Sequence, residues 1–142
     1  MARPLNAERM LQMVLRFAGI MMLLALPTLF LPFETMNAVN RYLTGEPLPP
    51  ARTLLYLTRS VSLLYASQGA ITLFLSAHVQ RYLPLLRFQA WVALCFGGSM
   101  LALDLWIGMP PLWLWIEGPW LLLLSLIVLY LTGTLMRKET RL

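Results

Sequence analysis

Four runs of apolar residues decide what this chain can fold into. They cover about residues 10–31, 54–77, 88–108 and 120–136. A helix needs roughly 20 mostly apolar residues to cross a bilayer's hydrocarbon core, with a range of about 17–25. The fourth run sits at the short end of that range. Barrel strands would alternate apolar and polar positions over about ten residues. These runs do not alternate, and a backbone in lipid must satisfy its own hydrogen bonds, so helices follow. Composition agrees. Hydrophobic residues make up 59% and charged residues 12%, against roughly 45–50% and about 25% in soluble domains. A soluble fold of this size could not hide that much apolar surface. The expected fold is all-α: one transmembrane domain over 1–142, an integral membrane four-helix bundle with short loops.

The placement of charge sets an orientation. Arg3, Arg9 and Arg16 lie at the amino end, Arg81 and Arg87 in the second connection, and Arg137, Lys138 and Arg141 at the carboxyl end. Arg41 and Arg52, with Glu34, Glu46 and Glu117, fall on the opposite side. Basic residues stay on the cytoplasmic side of short loops. Both termini and the second connection are therefore expected in the cytoplasm, with the protein multi-pass in a bacterial-type inner membrane. Topology and contact with membrane lipids explain the net charge of +5, and a nucleic-acid partner is not expected. The opening stretch "MARPLNAERMLQMVLRFAGIMMLLALPTLF" has a basic head and an apolar body too long for a signal peptide, with no A-x-A site after it. It reads as a retained first helix, kinked or ended near Pro27. The first connection, "PFETMNAVNRYLTGEPLPPAR", places Met36, Val39 and Leu43 on one helical face. A short interfacial helix is expected there.

Ionisable residues inside the spans are the best functional clues in such a chain. Arg16 is close enough to the cytoplasmic edge to snorkel. Arg59 lies near the outer end of the second span and Asp104 near the outer end of the third. Their depths match, and a carboxylate opposite a guanidinium satisfies both. The sequence predicts that Arg59 and Asp104 pair, directly or through a water. At 100° per residue, Arg59 shares a sector with Ser62, Ala66, Gly69 and Ala70, and Asp104 with Gly97, Ala93 and Ala90. Small residues of this kind let membrane helices approach closely. The pair has three readings: a structural ion pair that fixes register, a ligand or proton site, or a contact to another subunit. Tyr56, Ser62 and Glu117 complete the polar cluster, with Ser60, Tyr65, Ser67 and Gln68 nearby. A pocket floored by Arg59 and Asp104 and rimmed by tryptophan is one expectation. The plainer reading of Trp106, Trp113, Trp115 and Trp120 is a set of interfacial anchors, with Trp91 at the opposite face. "DLWIGMPPLWLWIEGPW" then forms the outer turn between the third and fourth spans.

No cofactor or metal is expected. Cys95 stands alone in an apolar run and His78 is the single histidine, so no disulfide, CxxC pair or multi-histidine site can form within the chain. The four short spans, the small loops and the stretch Arg59, Ser60, Leu64, Tyr65, Ala66, Gly69 resemble small bacterial four-helix membrane proteins of the DoxX-like kind and neighbouring uncharacterised families. The resemblance spans the whole chain as architecture. Some proteins of that kind are membrane subunits of oxidoreductases that hand electrons to quinone, which would imply a quinone-facing groove here; only the architecture is carried over to this chain. Any electron carrier would then come from a partner, because this chain has no redox cysteines or metal ligands. The role expected first is a non-catalytic membrane subunit or assembly partner, beside another subunit or a second copy. The alternative is a binder of a lipid, quinone or similar amphipathic molecule at an outward-facing Arg59/Asp104 cluster. An enzyme using that cluster with Glu117 as acid or base finds no nucleophile–base pair or metal motif to support it.

Overall fold

The computed structural model describes residues 3–139, with the side chains of 3–6, 116–117 and 138–139 outside that description. Every regular element in it is helical. Helix α1 spans Arg3–Leu23 and gives way to a short 3-10 helix, Leu26–Phe30. Helix α2 covers Phe33–Thr44, α3 Arg52–Ala77, α4 Leu83–Ile107 and α5 Pro111–Glu139. Four stretches are long and apolar enough to cross a membrane: Ala7–Phe30, Arg52–Ala77, Leu83–Ile107 and Pro111–Arg137. The protein is a multi-pass membrane protein with a four-helix bundle.

Local chemistry explains where the helices stop. Pro27 stands in the first turn of the 3-10 helix, where its missing N–H costs nothing. Gly45 and Gly108 end α2 and α4 with φ of 80° each, a left-handed conformation that only glycine adopts without steric cost. The Gly108 N–H donates to the Asp104 carbonyl at 3.0 Å. The expected interfacial helix is α2. Met36 is buried and Leu43 half-buried, but Val39 is exposed.

One boundary differs from the sequence reading. Gly118 and Pro119 do not precede the last helix; α5 starts at Pro111 and carries Pro119 inside it. Pro111 presets the helical φ at the first position. The Pro110 carbonyl then accepts from the Trp113 and Leu114 N–H groups at 3.0 and 3.2 Å. An internal proline is tolerated in a membrane helix because neighbours re-satisfy the freed carbonyl. The turn between α4 and α5 therefore shrinks to residues 108–110, and all of "PLWLWIEGPW" is helical.

The bundle is two antiparallel pairs. Helix α1 packs along α3 and α4 along α5; α1 also meets α5 and so joins the pairs, while α2 rests on α5. Near the α3–α4 turn all four long helices converge on one core, which includes Leu11, Leu15, Leu75, Val79, Leu83, Leu86, Val128, Leu131 and Leu135. The buried hydroxyls of Thr72, Ser76, Ser125 and Thr132 each donate to a carbonyl three or four residues earlier. They are satisfied within their own helices and mark no polar path.

Candidate functional site

Away from that core, the helices open around a cavity of about 560 Å³. Its wall comes from the second half of α1 (Phe17, Ala18, Met21, Met22), from Ala25 just before the 3-10 helix, and from Leu43 of α2 and Tyr65 of α3. Phe96, Gly97 and Met100 of α4 and Trp113, Gly118, Trp120, Leu121 and Leu124 of α5 complete it. Phe17 and Met21 are half exposed on the outer surface as well. Among the described residues no charged side chain lines the cavity. Its volume falls in the range of about 300–1,000 Å³ usual for small-molecule sites, and its lining is of the usual apolar kind.

Glycines shape this cavity by letting helices approach. A Cβ on Gly97 would stand 3.2 Å from a Leu122 methyl, and one on Gly118 would stand 3.1 Å from a Leu101 methyl. Helix α5 is therefore held close to α4 beside the void. On the opposite side the α1–α3 crossing is closer still. A Cβ on Gly69 would meet the Gly19 carbonyl oxygen at 2.7 Å.

Asp104 is 5% exposed, and its Oδ2 has no hydrogen-bond partner. It lies one helical turn beyond Met100 on α4, about 6 Å along the axis. It does not line the cavity itself. A buried polar atom without a partner is costly, and an isolated carboxylate more so. Such atoms in native proteins call for a partner from outside the fold.

The expected Arg59–Asp104 ion pair does not form; no ion pair occurs among the described residues. The reason is rotation about α3 and the choice of partner helix. The buried stripe of α3 runs through Ser62, Ala66, Gly69, Thr72 and Ser76. At 100° per residue, Arg59 stands about 60–80° away from Ser62 and Gly69. Helix α3 also packs on α1 rather than α4. Arg59 is exposed and opens onto a groove of about 440 Å³ shared with Leu29 of the 3-10 helix and Arg52, Leu55, Tyr56, Ser60 and Leu63 of α3. Ser62, about 60° further round α3, is buried against the 3-10 helix. It accepts a hydrogen bond from Thr28 Oγ1 at 2.6 Å and donates to the Thr58 carbonyl at 2.8 Å.

The single polar cluster read from the sequence is thus three separate features. Tyr56 and Arg59 belong to the α3 groove, Ser62 to the α1–α3 contact and Asp104 to the α4–α5 side. The side chain of Glu117 lies outside the described residues. The tryptophans divide as well. Trp106 and Trp115 are exposed, as interfacial anchors are, Trp113 lines the cavity, and Trp120 does both, exposed on one side and lining the cavity on the other. The cavity itself was not legible in the sequence beyond the expectation of a tryptophan rim. Its lining is the same Phe, Met and Leu that any lipid-facing helix carries. No group of three or more His, Cys, Asp or Glu residues able to hold a metal occurs among the described residues. Compared with known proteins, the chain matches no family model, no curated protein and no solved structure.

Proposed function

We propose that this protein binds an amphipathic molecule whose long apolar body occupies the cavity between α1, α4 and α5. The cavity carries the reading: about 560 Å³ of apolar space inside a bundle of four membrane-spanning helices. Lipids and quinones have bodies of this character, and the indoles of Trp113 and Trp120 offer donors at the edge. Asp104, one turn further along α4, supplies an unpaired acceptor for a hydroxyl or amine on the ligand's head. Its burial and its unpartnered oxygen support this role. No enzymatic step is assigned.

The test is native mass spectrometry of protein extracted in mild detergent. Wild-type protein is expected to retain an apolar small molecule, and Ala18→Phe, which fills the cavity from α1, is expected to lose it while keeping its helix content. Equal retention by both proteins, or none by the wild type in its native membrane, rejects the reading. The second reading is a non-catalytic membrane subunit in a bacterial-type inner membrane with both termini cytoplasmic. It is favoured by Arg59, an exposed guanidinium with no acidic partner among the described residues. Co-purification with a fixed partner stoichiometry, lost in Arg59→Gln, would carry that reading instead.

A further inference from the structure

We propose a second ligand site, independent of the cavity: the groove on α3 formed by Arg52, Tyr56, Arg59 and Ser60 binds the phosphate headgroup of an anionic glycerophospholipid. These four residues recur at helical spacing and share one side of α3, and the groove between them is about 440 Å³. All four end in hydrogen-bond donors. Neither guanidinium is paired with a carboxylate among the described residues. Among the described carboxylates at this end of the bundle, Asp104 is buried on α4 and Glu34 and Glu46 make no ion pair with a described residue. The leucines that line the groove, Leu29, Leu55 and Leu63, offer apolar walls to acyl chains and nothing to a free ion.

Depth supports the assignment. Helix α3 has 26 residues, or about 39 Å at 1.5 Å per residue, which exceeds the roughly 30 Å hydrocarbon core. Its first turn, with Arg52, therefore stands at headgroup level. Arg59 begins two turns deeper, about 10 Å along the axis, where an unpaired cation is costly unless it reaches back toward the interface. A phosphate held between the two arginines satisfies both, and guanidinium groups favour phosphate through paired, charge-assisted hydrogen bonds. Lipid supplies that phosphate at this level at high local concentration. A soluble anion would have to enter beside exposed leucine.

The test measures lipid binding to the full-length protein by native mass spectrometry and by thermal protection, with phosphatidylglycerol, phosphatidylcholine and inorganic phosphate as separate probes. Wild-type protein is expected to prefer phosphatidylglycerol over phosphatidylcholine and to ignore inorganic phosphate. Arg52→Gln and Arg59→Gln should each weaken phosphatidylglycerol binding roughly five- to tenfold, as expected for one interfacial arginine. Arg59→Lys, which keeps the charge but loses the paired hydrogen bonds, should keep only part of the binding, and Arg41→Gln, at the same end on α2, should change nothing. Arg59 has no acidic partner among the described residues, so its glutamine variant is expected to fold, with helix content as the check. The wild-type comparison needs no variant: equal binding of the two lipids overturns the proposal. So does full phosphatidylglycerol affinity in the double variant Arg52→Gln with Arg59→Gln. Competition by inorganic phosphate would make this a free-anion site, and disassembly of a protein complex by Arg59→Gln would make it a subunit contact; either result also overturns it. Loss of the apolar ligand in Ala18→Phe with lipid preference intact separates this site from the cavity.

Discussion

The two helix pairs of this bundle solve the same packing problem in different ways. Lipid tails are as apolar as leucine, so helices in a membrane associate through close packing and hydrogen bonds rather than through the hydrophobic effect. The α1–α3 pair uses both devices. Its backbones meet where Gly19 and Gly69 cross, and Thr28 donates to Ser62 across the contact. The α4–α5 pair is cushioned by leucines: the neighbours of Gly97 and Gly118 are side chains rather than backbone. Here a buried Asp104 oxygen is left without a partner, and the cavity lies alongside. One pair is built for contact and the other leaves room. The unused polar capacity and the empty volume therefore both belong to the α4–α5 side.

Alanine at matched glycines tests this contrast most severely. Gly69→Ala would place a Cβ 2.7 Å from the Gly19 carbonyl oxygen and 2.9 Å from the Met22 Cβ. Neither atom can move without separating the helices. The expected cost is about 2–3 kcal/mol, read as an earlier midpoint in SDS unfolding of the purified protein. Gly97→Ala meets only leucine methyls at 3.2–3.4 Å, which can rotate, and Gly98→Ala meets nothing within 4 Å. Both should be near neutral or slightly stabilising, since alanine is the better helix former by up to about 1 kcal/mol. Equal losses at Gly69 and Gly97 would erase the distinction between the pairs.

Asp104 provides the next largest effect, with the opposite sign. A buried polar atom without a partner costs roughly 1–3 kcal/mol. Asp104→Leu removes it at little change in volume, so ligand-free protein in detergent is expected to gain about 1–2 kcal/mol of stability. Retention of the bound amphipathic molecule should fall in the same variant. A stability loss would show that the carboxylate is already served from within the chain. The contrast between the pairs would then rest on the glycines alone.

These features were legible in the sequence to very different degrees. The spans were plain because hydrocarbon thickness fixes the length of an apolar run. Helix α2 was plain because Met36 and Leu43 recur at helical spacing. The small-residue stripes were readable in part: Ser62, Ala66 and Gly69 on α3 and Gly97 and Ala90 on α4 are buried, while Ala93 is half-buried and Ala70 exposed. What failed was the step from stripe to partner. A stripe says that a helix is approached, not by which neighbour, and α3 turned out to face α1. Arg59 sat close enough to the stripe's edge to be counted in it, and a rotation of under one residue's arc moved it outside. The start of α5 was misplaced because glycine and proline were given their soluble-protein meaning. In lipid Pro119 can stay inside a helix. The cavity was hidden because voids arise from how helices diverge, and no residue type encodes that.

The smallest expected effect lies in the hydroxyl bridge of the α1–α3 pair. Thr28 Oγ1 and Ser62 Oγ stand 2.6 Å apart and tie the 3-10 helix to α3. Hydrogen bonds between membrane helices contribute on average only about 0.6 kcal/mol, because the separated helices find other partners. Thr28→Val and Ser62→Ala are therefore expected to cost well under 1 kcal/mol each, with a coupling near that average in a double-mutant cycle. The cycle matters because both hydroxyls have local alternatives. Ser62 also donates to the Thr58 carbonyl, and the Ala25 carbonyl competes with Ser62 for the one Thr28 hydroxyl proton, so single variants mix local and interhelical terms. A coupling of zero would leave the Gly19–Gly69 crossing as the sole determinant of that pair. A coupling comparable to the Gly69→Ala loss would mean that the pair is held by polar bonding, with close approach as its consequence.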